Sequence, residues 1–505
     1  MKIEVAQSEK EGQLQAREAH LELARPGERK PVRLRLAGLL DRVIFYSLLA
    51  VIALTVVPYG TVEPWWESLF ECAVLTLGAL WIIEGMLNGE WRLSGRGFLL
   101  LAPLAALIVF AFIQTLPLGK NDGGAASMAG AAWWAISVSP YDTRLFAFKL
   151  IGITLTGALL LRYTSSRYRL RALIYLVIGV GVATALFGIL RQTTQRDEHG
   201  FFLPYLMPNS GYGPFINRNH FAFLMEMALG LALGIVVGGG ERRDRLLVYL
   251  AAALPVWTAL VLSNSRGGIF AMLSQLLFLA LMFSVMRPPR EMMEKGSGAF
   301  VWLKRKANSN LVRAALMACL ALAMIAGVLW MGGDPLARRL ESMQGEVSGS
   351  ALDGREGTRR IQIWDATWRL IKDHPIAGAG FGAYWVAISQ YYDASGRLKP
   401  YQAHNDYLEV IASGGMIGAA LLIWFIIALV LRARVRLRSN DPFRRAACLG
   451  ALAGLFGVAV HSLVDFGLQI TVNALVCMAL IVIATADERA REKTPPNISV
   501  LKRRP

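Results

Sequence analysis

The feature that most constrains this chain is the recurrence, from end to end, of apolar stretches about 18–22 residues long. An α-helix rises about 1.5 Å per residue, so each stretch matches the ~30 Å hydrocarbon layer of a bilayer. In lipid every backbone N–H and C=O must find its partner within the protein, and an isolated stretch achieves this only as a helix. Twelve spans are predicted, roughly 42–58, 67–87, 98–117, 144–162, 170–190, 218–237, 245–263, 267–286, 313–331, 408–431, 446–463 and 467–486. An even count puts both termini on one side. The expected fold is an all-α integral membrane protein of about 12 transmembrane helices, with a large, partly helical outer loop between helices 9 and 10. Composition agrees, since 55% of the 505 residues are apolar and the mean hydropathy is +0.43.

A formal charge of +17 raises the possibility of nucleic-acid binding, but its distribution argues otherwise. A nucleic-acid site would gather the charge in one module. Here Lys and Arg recur at the predicted inner loops: Arg162, Arg167, Arg169 and Arg171; Arg242, Arg243 and Arg245; Lys304, Arg305 and Lys306; Arg432, Arg434, Arg436 and Arg438. The tail adds Lys502, Arg503 and Arg504, and the short outer turns at 59–66 and 464–466 hold neither residue type. This is the positive-inside pattern, which sets topology. Cys72, Cys319, Cys448 and Cys477 fall in or beside spans and suggest no disulfide framework.

The expected layout is a disordered cytoplasmic tail over 1–36, a membrane domain over 37–331 carrying helices 1–9, and an outer loop over 332–407. A second membrane segment over 408–487 carries helices 10–12, and a basic tail follows over 488–505. Outer segments near 118–143, 191–217 and 332–407 are long enough to carry function. The first holds Asn121-Asp122-Gly123-Gly124 and an aromatic pair, Trp133-Trp134, suited to the interface; the second ends in the turn-forming Pro208-Asn209-Ser210-Gly211-Tyr212-Gly213. In the third, Ile361, Trp364, Trp368 and Ile371 share one face over Thr358–Lys372, predicting an amphipathic helix that ends at Asp373-His374-Pro375.

Ionisable residues are costly in a membrane and therefore informative. Most lie toward the predicted outer face. Arg218 opens the sixth span within Asn217-Arg218-Asn219-His220, and Arg266 occupies the tight turn Ser263-Asn264-Ser265-Arg266-Gly267-Gly268. His404 precedes the tenth span within Ala403-His404-Asn405-Asp406-Tyr407-Leu408-Glu409. Lys149, Glu71 and Glu226 sit one to two turns inward, and His461 and Asp465 close the eleventh span. Arginines bind phosphate bidentately, and histidine moves protons near neutral pH, so the set suits an anionic substrate approached from outside. Each residue also has a plainer use. The arginines suit lipid-headgroup anchoring, Asp406 suits helix capping, and Glu71 and Glu226 suit pairing between helices. The outer loops carry no HExxH, CxxC pair or Asp-x-Asp, so no metal or other cofactor is expected, and there is no P-loop.

At these motifs the chain resembles the O-antigen ligase and O-antigen polymerase family of bacterial inner-membrane glycosyltransferases. The matching stretches are Asn217-Arg218-Asn219-His220, Ser265-Arg266-Gly267-Gly268, and Arg359-Arg360-Ile361-x-x-Trp364 running into His374-Pro375-x-x-Gly378-x-Gly380-x-Gly382. The last is Ala403-His404-Asn405-Asp406-Tyr407-Leu408, followed by Gly414-Gly415-x-x-Gly418. The resemblance implies a C-type glycosyltransferase with a periplasmic active face and cytoplasmic termini. It implies metal-independent, inverting transfer of a glycan from undecaprenyl diphosphate to a hydroxyl of another glycan, lipid A-core or protein. It also implies that Arg218 and Arg266 hold the diphosphate and that His404 is catalytic. Asn219, His220, Asn405, Asp406, Arg360, Glu226 and Lys149 are expected to support them. Membrane lipid is a further expected partner, and nucleic acid is not one.

Two other classes share the span count: a secondary transporter of a small anion and a non-catalytic assembly factor. Transporters bind near the bilayer midplane, whereas the ionisable residues here crowd one boundary. Convergence of Arg218, Arg266 and His404 in one cavity separates these readings.

Overall fold

The computed structural model describes residues 31–89, 95–120, 133–195, 203–206, 211–286, 354–392 and 400–486. The predicted ninth span, the whole of the 332–353 stretch, Asn121–Gly124, Pro208–Ser210 and His199 lie outside these residues. The long helices are α1 (Val32–Leu54), α2 (Pro64–Asn88), α3 (Gly95–Gln114), α4 (Pro140–Tyr163), α5 (Arg167–Thr194), α6 (Arg218–Gly238), α7 (Arg243–Leu262) and α8 (Arg266–Met286). After them come α9 (Gly354–Asp373), the short α10 (Tyr384–Ala387), α11 (Asp406–Leu437), α12 (Pro442–His461) and α13 (Thr471–Thr485). Among the described residues ten helices are long and apolar enough to cross a membrane: α1 to α8, α11 and α12. The protein is therefore a multi-spanning, predominantly helical membrane protein.

Several elements differ from the sequence reading, beginning with α1, which starts at Val32 inside the expected 1–36 tail. The last predicted span, 467–486, begins as a 3-10 turn at Gly467–Gln469, and only Thr471–Thr485 is α-helical. The turn lets side chains reach its carbonyls: Gln469 O accepts from Lys149 Nζ at 2.7 Å, and Gly467 O, which also accepts from Ile470 N, accepts from Asn473 Nδ2 at 3.2 Å. The outer segment after α3 forms a small antiparallel hairpin, β1 (Pro117–Lys120) with β2 (Trp133–Ala135).

The core is built on α6 and α12, which are buried along most of their length. Gly230 and Gly234 of α6 face Gly454 and Gly450 of α12. A Cβ on Gly234 would stand 2.2 Å from the Gly450 Cα, and one on Gly230 would stand 2.5 Å from the Gly454 nitrogen. Small residues at four-residue spacing let two membrane helices touch along their backbones, where dispersion replaces the missing hydrophobic drive.

α11 is broken. Gly415 adopts φ 60° and ψ −154°, and the turn after α9 supplies partners for the freed backbone. Met416 N donates to Pro375 O (2.8 Å) and Ile417 N to Ile376 O (3.2 Å). Ala379 N donates to Ala412 O (2.9 Å) and Gly380 N to Ser413 O (3.0 Å). Gln114 adds two bonds from its amide nitrogen, to Ala377 O and Ser413 O. Irregular backbone at membrane depth survives only when protein satisfies it, as here. Close approach requires glycine at Gly378, whose Cβ would meet the Ser413 carbonyl carbon at 2.3 Å.

The amphipathic helix exists as α9, but its phase is rotated from the expected one. Ile363, Ala366, Thr367, Leu370 and Ile371 are buried, while Ile361 and Trp368 are exposed. A buried hydroxyl explains the shift: Thr367 Oγ1 is 2.7 Å from the Tyr384 hydroxyl and donates to Ile363 O, so a polar residue sits on the inner face.

Candidate functional site

At one end of the bundle, the start of α6, the α7–α8 turn, α9, the segment before α11 and the α12–α13 turn meet around a single carboxylate, Asp465. Its side chain is 1% exposed. Asn219 Nδ2 donates to Oδ2, and the backbone N–H of Phe466 donates to Oδ1 at 2.9 Å. Arg360 Nη2 stands 3.5 Å from Oδ2, and His404 Nδ1 stands 3.6 Å from Oδ1. The last distance is long for a hydrogen bond but close enough for electrostatic pairing. Burial, the largest influence, pushes the Asp465 carboxyl up; the facing His404 imidazole, the Arg360 guanidinium and His220 outweigh it and hold the group well below the usual carboxylate range.

Local chemistry explains how each group is presented. Asn217 caps α6 by accepting from Asn219 N at 2.8 Å, which sets Arg218 at the first helical position. Ser265 links the α7–α8 turn to α6: its hydroxyl donates to Asn219 Oδ1 at 2.8 Å and accepts from Gly268 N at 3.2 Å. Phe466 lies edge-on between His404 and His220, with ring centroids 4.9 and 4.8 Å away. Arg360 reaches in from α9.

Above this hub opens a cleft of about 810 Å³ lined by Arg218, Arg360 and His404, with Asn217, Asn219 and Asn264 among the polar groups around them. Its Gln192 and Tyr212 wall comes from α5 and the loop before α6, a loop that buried Arg191 holds by donating to Gly213 O at 2.9 Å. Arg218 makes no hydrogen bond or ion pair among the described residues, so its charge is open to a ligand. Two guanidinium groups on the wall, against one buried carboxylate, favour an anion.

The structure thus brings together Arg218, Asn219, Arg360 and His404. Arg266 is exposed at the start of α8, one residue beyond Ser265, and is not part of the cleft wall. His220 is buried beneath, against Phe466. Asn405 and Asp406 tie the start of α11 to the end of α12 and the turn after it. Asn405 caps α11 at Leu408 N (3.0 Å) and donates to Leu463 O (2.8 Å), and Asp406 accepts from the Ser462 hydroxyl at 2.7 Å. Lys149 lies elsewhere, paired with Glu67 and Gln469 O. Glu226 is fully buried, and its Oε2 is 3.1 Å from His461 Nδ1, whose ring stacks on Phe223 and abuts Gly267. Among the described residues no three His, Cys, Asp or Glu side chains are grouped to hold a metal ion.

The residue that sequence reasoning undervalued is Asp465. A carboxylate in a short outer turn without Lys or Arg neighbours was the available signal, because its partners had to come from elsewhere in the chain.

Fold and cleft together define a class: a multi-spanning membrane protein with an arginine-bearing, anion-accepting cleft at one end of its bundle. Over residues 250–423 the chain matches the family model of the O-antigen ligases. That stretch, from α7 into α11, contains Arg266, Arg360 and His404; Arg218 and Asp465 lie outside it. Comparison with curated proteins gave no match.

Proposed function

We propose that this protein is an O-antigen ligase or surface-polysaccharide polymerase of the bacterial inner membrane, transferring a glycan from undecaprenyl diphosphate to an acceptor hydroxyl. The cleft then faces the periplasm and both termini the cytoplasm, a placement that the Lys and Arg distribution supports. The observation that carries this reading is the meeting of Arg218, Arg360 and His404 in one cleft, two of the three within the family-matched stretch.

The mechanism follows from charge. As the glycosyl–phosphate bond breaks, negative charge builds on the departing diphosphate. The open Arg218 guanidinium and Arg360 stabilise that charge most when it is largest, which lowers the barrier instead of merely tightening binding. Arg266 would add a contact at the rim. His404 accepts the proton of the attacking hydroxyl, and Asp465 favours the imidazolium that results. Attack opposite the leaving diphosphate inverts the anomeric centre in one displacement. The acceptor is a hydroxyl of lipid A-core, a second glycan or protein.

The test is transfer from an undecaprenyl-diphosphate glycan by the purified protein, with the product identified by mass. Arg218→Ala and His404→Ala should each lose about 10²–10³ in rate while remaining folded and membrane-inserted. Transfer at the wild-type rate by both variants refutes the proposal.

A further inference from the structure

His404 stands in the left-handed backbone region, at φ +50. A non-glycine residue stays there only when its surroundings over-determine the conformation. The flanking residues do so. Ala403, fully buried, is held at both backbone groups: its N–H donates to Glu409 Oε2 at 2.8 Å, and its C=O accepts from Trp364 Nε1 at 2.9 Å. On the other side, Asn405 is pinned to Leu408 N and Leu463 O, and Asp406 N donates to Ser462 O at 3.0 Å. The second Glu409 oxygen accepts from Gln469 Nε2, so the carboxylate is itself anchored. Glu409 is nearly buried in the first turn of α11, and Trp364 lies one turn after Arg360 on α9.

We propose that Glu409 and Trp364 are positioning residues that, by clamping Ala403 from opposite sides, hold the His404 imidazole toward Asp465 and the cleft. Neither touches the ligand space. This rests on the reading of His404 as the proton acceptor. One helix, α9, thus presents Arg360 to the anion and Trp364 to the segment that carries His404.

The test uses the full chain in lipid nanodiscs and three variants. Glu409→Gln keeps an oxygen that accepts the Ala403 N–H; Glu409→Leu removes it; Trp364→Phe keeps the ring but removes the donor. Three quantities are read: transfer kinetics with an undecaprenyl-diphosphate glycan, binding of undecaprenyl diphosphate alone, and the rate at which diethyl pyrocarbonate modifies His404, located by peptide mass. Glu409→Leu and Trp364→Phe should each lower kcat at least tenfold, change His404 modification several-fold, and leave the KM for donor and the binding of undecaprenyl diphosphate within twofold. Glu409→Gln should restore all values to near wild type. A merely structural role would move binding and kcat together and would not be rescued by the amide. Wild-type kcat and His404 reactivity in Trp364→Phe and in a folded Glu409→Leu overturn the clamp. If Glu409→Leu does not fold, Trp364→Phe alone decides in the same way. Full transfer by His404→Ala, with modification rates still changing as described, would instead remove the functional reading and leave the clamp.

Discussion

Replacing Asp465 by asparagine keeps the shape of the side chain and removes the charge on which the site converges. In the wild type a carboxylate exposed by 1% faces Arg360 at 3.5 Å and His404 at 3.6 Å. Removing one partner of a fully buried pair costs about 3–5 kcal/mol, because the other charge is left uncompensated. Arg360 and His404 retain 16% and 31% exposure, so solvent absorbs part of that loss and about 2–3 kcal/mol is expected. The sign in pH follows from the direction of the shift. A carboxyl held below its ordinary value contributes stability that is present above about pH 4 and is lost only as pH falls through its depressed folded value. The penalty of Asp465→Asn is therefore complete at neutral pH and disappears in strong acid. Catalysis should suffer more than stability. Without the carboxylate nothing favours the imidazolium that forms as His404 takes the proton, and about 10²–10⁴ in rate should go. Thermal unfolding in detergent and transfer kinetics measure the two losses. Arg360→Ala in the Asp465→Asn background should cost less stability than in the wild type, the difference lying within about 0.5–3 kcal/mol. Strict additivity, or an Asp465→Asn enzyme with wild-type kcat, would refute the assignment of Asp465 as the electrostatic hub.

Other substitutions probe neighbouring links. Arg218→Lys should keep charge but lose the planar fork, giving a rate between wild type and Arg218→Ala in the transfer assay. Gly267→Ala would set a Cβ 2.4 Å from His461 Nε2, a ring fixed by Glu226 and Phe223. Displacing it should cost about 1–3 kcal/mol in detergent unfolding and also impair transfer, since Ser265 and Arg266 move with the turn. Gly234→Ala, 2.2 Å from the Gly450 backbone, should force α6 and α12 apart and lower the melting temperature far more than Gly179→Ala, where a Cβ meets nothing within 4 Å.

Much of the fold was legible because lipid permits few solutions. Helices α2 to α8 and α12 follow the apolar runs to within a few residues, whereas α1 begins ten residues before its predicted start and α11 runs six residues past its predicted end; the shortened α13 departs where Lys149 and Asn473 bond to carbonyls of the turn before it. The phase of α9 was misjudged because Trp368 and Ile361 look like core residues, whereas the buried face needs Thr367 to reach Tyr384. The hairpin at Pro117–Lys120 had no alternating pattern to announce it. In the site, Arg218 and His404 were readable as charges stranded at span ends. Arg360 looked secondary and Arg266 primary, but the reach of α9 puts Arg360 in the cleft wall, and Arg266 is not among the residues that line it.

By itself the sequence determined which stretches are long and apolar enough to cross a membrane and which ionisable residues flank them. Those outcomes depend on short-range quantities: helix rise, backbone satisfaction in hydrocarbon, and the cost of moving lysine and arginine across it. Which charges meet was decided only in three dimensions. Asn219 reaches Asp465 across 246 residues, and Trp364 reaches Ala403 across 39. Such encounters depend on how closely glycine-lined helices approach and where α11 breaks, and no local pattern in the chain encodes either.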